Sequence, residues 1–461
     1  MGGEITWQCL KSGPNVGQYV FTLKVYRDCN GITVSTISQT LTVWGNPALA
    51  NITVDFVSQT DVSPQCNPAA SGNSIYSCAN GDLGAVEEYI FQSQPIAMPG
   101  NPPADGWHFT WNSCCRNAAI VNLATASEGF TLRASMYPYT DPVTGLQLPA
   151  DPCFDSSPNF KEQPKTILCT GFPFAYNHNA SDDELDELVY SWGDPLDDDL
   201  FGGVVFNPGT TPSILSFAPP YSVNSPLPGN PTLDAATGEV NYDANTPGFF
   251  VTCVKVQAFK CNQLVAEVFR EVQVVLVTCV GGNTVGGLNS PPLVSEPFTD
   301  TSTGLPTFET TVFAGDFVSF NIEGTDADVY TGGVAQELTM EVSGGAFSND
   351  YVNTINCLNP PCATFNNGFG LTPPFSSPGI VSGNFEWQTS CNHVAAIAGC
   401  GATSNVFTFL VKVHDDFCPA YGITIATIKV TVLPAPIDWA PDIRCASVIN
   451  DNDVEITWNH L

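Results

Sequence analysis

The chain has 461 residues, and its 13 Lys plus Arg against 45 Asp plus Glu give a formal net charge of −32. So acidic a surface repels phosphate backbones and anionic lipid headgroups, which argues against nucleic-acid and membrane-surface binding and leaves divalent cations as natural partners, while the lack of any apolar run near the ~18 to 20 residues of a membrane span argues against membrane insertion. Only 13% of residues are charged, whereas Gly (39), Pro (37) and Phe (29) are abundant, a composition that favours short strands and turns over helices.

At roughly 150 residues per domain the length predicts about three domains, each able to hold a core. Seventeen cysteines without a CxxC pair point to an oxidising compartment, hence an exported chain at the cell surface or outside the cell. MGGEITWQC has neither a basic nor an apolar segment, so a signal peptide is expected to be absent from this chain. The last residues, DNDVEITWNHL, stop inside an alternating run with Val454, Ile456 and Trp458 on one face, which reads as a piece of a longer polypeptide.

In chain order, the first region spans 1–158. EITWQC places Ile5, Trp7 and Cys9 on one face, and YVFTLKVYRDCNG alternates Phe21, Leu23 and Val25 with polar residues up to a turn. Further strands are expected at 32–44, 86–96, 107–111 and 129–137. The region holds seven cysteines (Cys9, Cys29, Cys66, Cys78, Cys114, Cys115 and Cys153), so either one bridge leaves it or one thiol stays free. A Ser/Pro linker, FDSSPNFKEQP, leads into a second domain at 159–281. The stretch GGNTVGGLNSPP reads as a flexible joint to a third at 282–435. Pro434 and Pro436 form a stiff hinge before a fourth, truncated unit at 436–461.

The second and third domains read as copies. FFVTCVKVQAFKC (249–261) aligns without a gap to VFTFLVKVHDDFC (406–418), matching Phe250 with Phe407, Val254-Lys255-Val256 with Val411-Lys412-Val413, and Cys261 with Cys418. A second alternating run follows each, so both end in a β-hairpin. Upstream, Gly171, Phe174, Tyr176, Ser181 and Asp182 fall opposite Gly315, Val318, Phe320, Thr325 and Asp326 (315 minus 171 gives 144), and TGEVNY falls opposite SGNFEW (382 minus 237 gives 145). At the hairpin the offset is 157 (411 minus 254). A repeat this long means duplicated whole domains, not a solenoid. The fold class is all-β, tandem immunoglobulin-like or cadherin-like β-sandwiches.

GGEITWQCL, YVFTLKVYRDCNG, WNSCCRNAAI, SSPNF and NASDDELDELVY together resemble the N-terminal region of large Bacteroidota surface proteins, the gliding-motility-associated, type IX-secreted proteins. FEWQTSCNHV, FTFLVKVHDDFCP and VLPAP are similar to a repeat of the same proteins, and VEITW resembles the opening of a fibronectin type III domain. The resemblance implies a surface or released multi-domain stalk used in gliding or adhesion. Its partners would be the type IX secretion machinery, other cell-surface proteins or extracellular glycans, and further copies of itself. The family's acidic DPDGD-like segment lies at 182–186, with Leu185 where the family carries Gly.

No GxSxG, HExxH or phosphate-binding loop is present, and the five histidines (His108, His178, His393, His414, His460) are scattered, so no enzyme is expected. His414-Asp415 near Cys418 suggests a nucleophile pair, but Cys418 matches Cys261, which no His precedes. Cys357 and Cys362 are expected to close a small disulfide loop rather than a zinc clip. Cys114 and Cys115 are expected to take separate partners, because neighbours on a strand face opposite ways. Cys169 is expected to pair with Cys253 or Cys279, and Cys418 with Cys391 or Cys400. Trp107, Trp111 and Trp192 are core aromatics or a sugar-stacking platform. The platform would make the chain a glycan-binding module array attached to a secreted enzyme. The acidic clusters, Asp182, Glu184 and Asp186 in one copy and Asp326 and Asp328 in the other, follow matching strands. They are solvated loop charge or a site for calcium, expected in the second domain before the third.

Overall fold

The computed structural model describes residues 2–461 apart from 126–127, 165–166, 198–213, 280–282, 288, 398, 437–442, 451–452 and 459–461; side chains at 396, 402 and 443–458 are not described. The regular structure of the described chain is almost all β-strand, joined by long loops and turns, with one short helix, Pro68–Ser71, and two 3₁₀ turns.

The duplicated copies have the same strand order. In the third unit, Glu309–Phe313 lies parallel to Ile423–Leu433, which pairs with Asn405–His414, which pairs with Glu337–Gly344. In the second, Ile167–Cys169 lies parallel to Gln263–Val277, which pairs with Gly248–Lys260, which pairs with Glu187–Trp192. The facing sheets agree in register as well: Phe174 opposes Tyr242 and Tyr176 opposes Val240, as Val318 opposes Trp387 and Phe320 opposes Phe385. Two facing antiparallel sheets with alternating inward side chains make each copy a β-sandwich.

The two hairpins differ in length. Gly248–Lys260 and Gln263–Val277 run 13 and 15 residues against 10 and 11 for their counterparts. The free edge of the longer hairpin takes up strands from the first region. Ala266 and Val268 pair with Met136 and Ala134 of Phe130–Met136, and Glu271 pairs with Gly3 of Gly2–Cys9. The resulting eleven-stranded sheet draws on both sides of residue 158, and the Gly3 pairing closes eight of its strands into a ring. Closure needs the backbones to approach closely, since a β-carbon on Gly2 would collide with the Glu271 carbonyl. One core follows, in which Ile5, Phe21, Leu23 and Phe109 pack with Val254, Val256 and Val268.

The third unit is docked on the second through a shared core. Phe174, Tyr176, Val240 and Tyr242 meet Leu410, Ile423 and Ile425, which explains why the FLVKV strand is apolar on both faces. A buried polar path crosses all three units. Arg270 Nε lies 3.2 Å from Glu4 Oε2, Arg270 Nη2 donates to the Glu162 carbonyl at 2.7 Å, and Lys412 Nζ reaches Glu162 Oε1 and Glu341 Oε2, both at 2.9 Å.

The disulfides correct several expectations. Cys418 joins Cys66 and Cys400 joins Cys261, so both bridges run between units; Cys391 and Cys253 are unpaired. Spacing misled here because the partner of each lies in a different unit. Cys66 is also the odd cysteine of the first region. Cys169 pairs with Cys279 at the end of the last strand, and Cys357 with Cys362. Cys114 and Cys115 bond to each other: they lie just past strand Trp107–Ser113, where strand alternation no longer applies. The remaining bridges are Cys9–Cys153 and Cys29–Cys78.

The stretch expected to be a flexible joint is docked over its described part. Asn283 N–H donates to the Ser71 carbonyl at 2.7 Å, its side chain donates to the Ala70 carbonyl, and Asn289 is fully buried. Gly286 and Gly287 serve here as turn formers, at φ 97° and 75°, while Asn283 fastens the stretch to the first unit and Asn289 to Asp415 and Gln336 of the third. Ile443–Asn450 and Asp453–Trp458 pair as the hairpin expected of the fourth unit.

Candidate functional site

Asp182, Glu184 and Asp186 form the loop between strands Ala180–Ser181 and Glu187–Trp192. Asp182 Oδ1 accepts the N–H of Glu184 at 2.9 Å and of Asp186 at 3.0 Å. This Asx-type turn holds Leu185 at φ 64°, the left-handed region that glycine enters freely, so the turn forms with Leu at that position. Glu184 faces away, pairing with Lys11 at 2.8 Å and accepting from the N–H and hydroxyl of Ser156 at 3.1 Å.

Asp186 points inward at Lys260, whose Nζ lies 3.1 Å from Asp186 Oδ2 and donates to Asp155 Oδ1 at 2.5 Å. Asp155, Asp186 and Lys260 are 1%, 8% and 6% exposed. Burial pushes the Asp155, Asp182 and Asp186 carboxyls upward, and neighbouring carboxylates reinforce the shift at Asp155 and Asp182. Burial opposes the charge on Lys260, yet Asp155 and Asp186 together hold its pKa above the usual lysine value. Lys260 thus brings a positive charge to the loop where calcium was expected. Sequence reasoning named neither Lys260 nor Asp155. The one available signal was a lysine directly before the hairpin cysteine, in a chain with few lysines.

The third-unit cluster has a different composition. Asp326 and Asp328 follow strand Phe317–Thr325 and lead into a small hairpin in which Val329 pairs with Ala335, leaving Asp328 beside Gln336. Asp328 Oδ2 accepts from the N–H and hydroxyl of Ser290, both at 2.7 Å, and Asp326 Oδ1 accepts the Asp328 N–H at 2.8 Å. Asp415, fully buried, accepts from Gly422 and Phe417 N–H groups and from Asn289 Nδ2 at 2.7 Å. Asn289 Oδ1 in turn accepts from Gln336 Nε2 at 2.6 Å. This chain fixes both amides, so the Gln336 carbonyl oxygen is left over. It and Asp326 Oδ2 are buried without a hydrogen-bond partner among the described residues.

At the hairpin offset, Lys260 corresponds to Phe417 (417 minus 260 gives 157). None of the described ion pairs involves Asp326, Asp328, Asp415 or Asp416. Burial pushes Asp326 up to about 6 and Asp415 well above the ordinary carboxylate range.

The other sequence candidates do not form a site. Trp107 and Trp111 are buried in the first core and Trp192 is packed half-buried between two cores, so these rings form no sugar platform. His414 stacks on Tyr421, and Cys418 is spent in a disulfide. Among the described residues, the one group of three metal-type ligands is Cys29, Cys78 and Glu87, whose cysteines are bonded to each other. A cleft of about 770 Å³ opens between the second and third units, where Ser181, Glu187 and Ala235 face Ala395, Ile397 and Thr403.

No family model and no curated protein matches the sequence. Among solved structures, the Ig1-Ig2 region of Dpr2, crystallised in complex with DIP-Theta Ig1-Ig3, is similar at 11% identity, covering 60% of this chain and 99% of that one, with a TM-score of 0.18. Zebrafish RET cadherin-like domains 1 to 4 are similar at 13% identity over 82% of this chain and 73% of that one, TM-score 0.16. A Dscam structure on isoform specificity is similar at 10% identity over 93% and 92%, TM-score 0.15. Scores this low carry no argument about function.

Proposed function

We propose that this chain is a non-catalytic structural or adhesive segment of a large, exported bacterial surface protein of the gliding-motility-associated, type IX-secreted kind. The observation that carries the reading is the bracing between units. Cys66–Cys418 and Cys261–Cys400 tie the third unit to the first and second, and the buried path from Glu4 through Arg270 and Glu162 to Lys412 links the same three units. Bridges of this kind form and persist in oxidising compartments. A body cross-linked between its units transmits load rather than flexing at its joints, which suits a segment that holds a binding tip away from a cell. Its partners in this reading are the type IX machinery that exports it, other surface proteins or extracellular glycans, and neighbouring copies.

Immunolabelling of intact cells that express the full-length protein tests the reading. Surface label that is lost when type IX secretion is disabled is the expected result; label confined to the cytoplasm or periplasm of normal cells overturns it.

Calcium enters this proposal at Asp326 and Asp328 rather than at Asp182, Glu184 and Asp186. Calcium takes six to eight oxygens. Among the described residues the third unit offers two buried, unpartnered ones, Asp326 Oδ2 and the side-chain oxygen Gln336 Oε1, and none of the described ion pairs involves Asp326.

A further inference from the structure

We propose that Lys260 and Asp155 condense into an intramolecular amide, an isopeptide bond, with Asp186 relaying the proton. Three observations lead there. Nζ of Lys260 lies 2.5 Å from Asp155 Oδ1, so the amine is already against the carboxyl group it would attack. Asp186 Oδ2 lies 3.1 Å from the same nitrogen, within reach for proton transfer. Finally, Asp155 Oδ2 and Asp186 Oδ1 are buried without hydrogen-bond partners among the described residues.

The last point separates this triad from an ordinary buried ion pair. Such a pair is stable only when further hydrogen bonds satisfy its remaining lone pairs, and these are not satisfied. Moving the proton from Lys260 to Asp155 converts the ion pair into an amine and a carboxylic acid; burial favours these neutral forms, while Asp155 and Asp186 favour the charged lysine, so the transfer is the uphill step of the reaction. Asp155 and Asp186 both have raised pKa values, so a protonated carboxyl is within easy reach there. Holding the two groups in contact replaces a bimolecular encounter with an intramolecular one, worth effective molarities on the order of 10⁵ M or more.

The step balances without a co-reactant. The Nζ lone pair attacks Asp155 Cγ; Asp186 takes a proton from the nitrogen and returns it to the departing hydroxyl. A C–N bond forms, a C–O bond breaks, one water leaves and Asp186 ends as it began. The product has lost two buried charges and one carboxyl oxygen.

Position gives the bond a mechanical sense. Lys260 ends the long strand Gly248–Lys260, and the next residue, Cys261, is bonded to Cys400 of the third unit. Asp155 follows Cys153, which is bonded to Cys9 of the first strand. Neighbouring residues at one hairpin tip would thus be tied covalently to the first and third units.

The test is the intact mass of the oxidatively folded chain after complete reduction. A mass lower than the sequence mass by one water, about 18 Da, is expected, with tryptic peptides 134–161 and 256–270 recovered as one branched species. Asp186→Asn should restore the full sequence mass, allowing for the substitution, while leaving the disulfides formed. A wild-type chain at its full sequence mass overturns the proposal, and a branch joining Lys260 to Asp186 overturns the assignment of roles.

Discussion

Cys66 and Cys418, separated by 352 residues in sequence, are bonded to each other across the contact between the first and third units. The bridge sits in a polar seam. Asn73 Nδ2 donates to the Cys418 carbonyl at 2.9 Å, Asn67 N–H to the Asp416 carbonyl at 2.8 Å, and the Tyr330 hydroxyl to Asp416 Oδ1 at 2.8 Å. The third unit is therefore joined back to the first and, through Cys261–Cys400, to the second, so the three units form a braced body instead of beads on a string.

Replacing both cysteines, Cys66→Ala with Cys418→Ala, should lower stability by about 2 to 4 kcal/mol, because the bridge closes a very long loop of the unfolded chain. Denaturant unfolding under non-reducing conditions reads this directly. Proteolysis should also begin in the 283–287 segment, which is held against Ala70 and Ser71 beside the bridge. A double variant as stable as the parent would show that the polar seam alone fastens the units.

Lys412 is the second brace. It is buried between Glu162 and Glu341, and Glu162 also accepts from the Ser343 hydroxyl at 2.8 Å. Lys412→Met strands the buried Glu162 charge and should cost about 3 to 5 kcal/mol. Adding Glu162→Leu removes that charge and should recover most of the loss, as read by the urea midpoints of the four members of the cycle. If the double variant were no better than Lys412→Met, the glutamate would not be the reason the lysine matters.

Much of the architecture was legible because it rests on local pattern. The Phe/Val-Lys-Val hairpins, the matched offsets and the alternation in Gly2–Cys9 and Tyr19–Asp28 are all written along single strands. Strand Asn51–Asp61 was missed because its exposed positions, such as Val57, blur the alternation. The fusion of the first and second units could not be read, since Ala266, Val268 and Glu271 look the same whether their edge is free or paired with Met136, Ala134 and Gly3. The acidic clusters were visible as loops, but Lys260 and Asp155, which decide the chemistry of one of them, are far from it in sequence.

Gly2→Val tests the closure of the eight-stranded ring. The added side chain must displace the Glu271 backbone, so a loss of about 1 to 3 kcal/mol is expected. Faster amide exchange at Tyr26 and Glu271 should accompany it. An unperturbed exchange pattern would mean that the ring does not depend on this approach.

Asp326 supplies the pH test of the calcium proposal. Its carboxyl is pushed from 3.8 up to about 6, chiefly by burial. A raised folded-state value means that the folded chain binds this proton more tightly than the unfolded one. The stability Asp326 contributes is then full below about pH 4 and is lost as pH rises through about 6. In chelator, the parent should therefore lose melting temperature across that window relative to Asp326→Asn, which cannot ionise. Calcium favours the carboxylate, so it should raise the melting temperature of the parent at pH 7, and the increment should fade toward pH 5 as protons compete for the oxygen. Asp326→Asn should abolish the increment at every pH. Asp182→Asn should leave it in place, because Lys260 already supplies the positive charge in that loop. A calcium shift that survives Asp326→Asn, or one that disappears in Asp182→Asn, would move the ion away from the third unit.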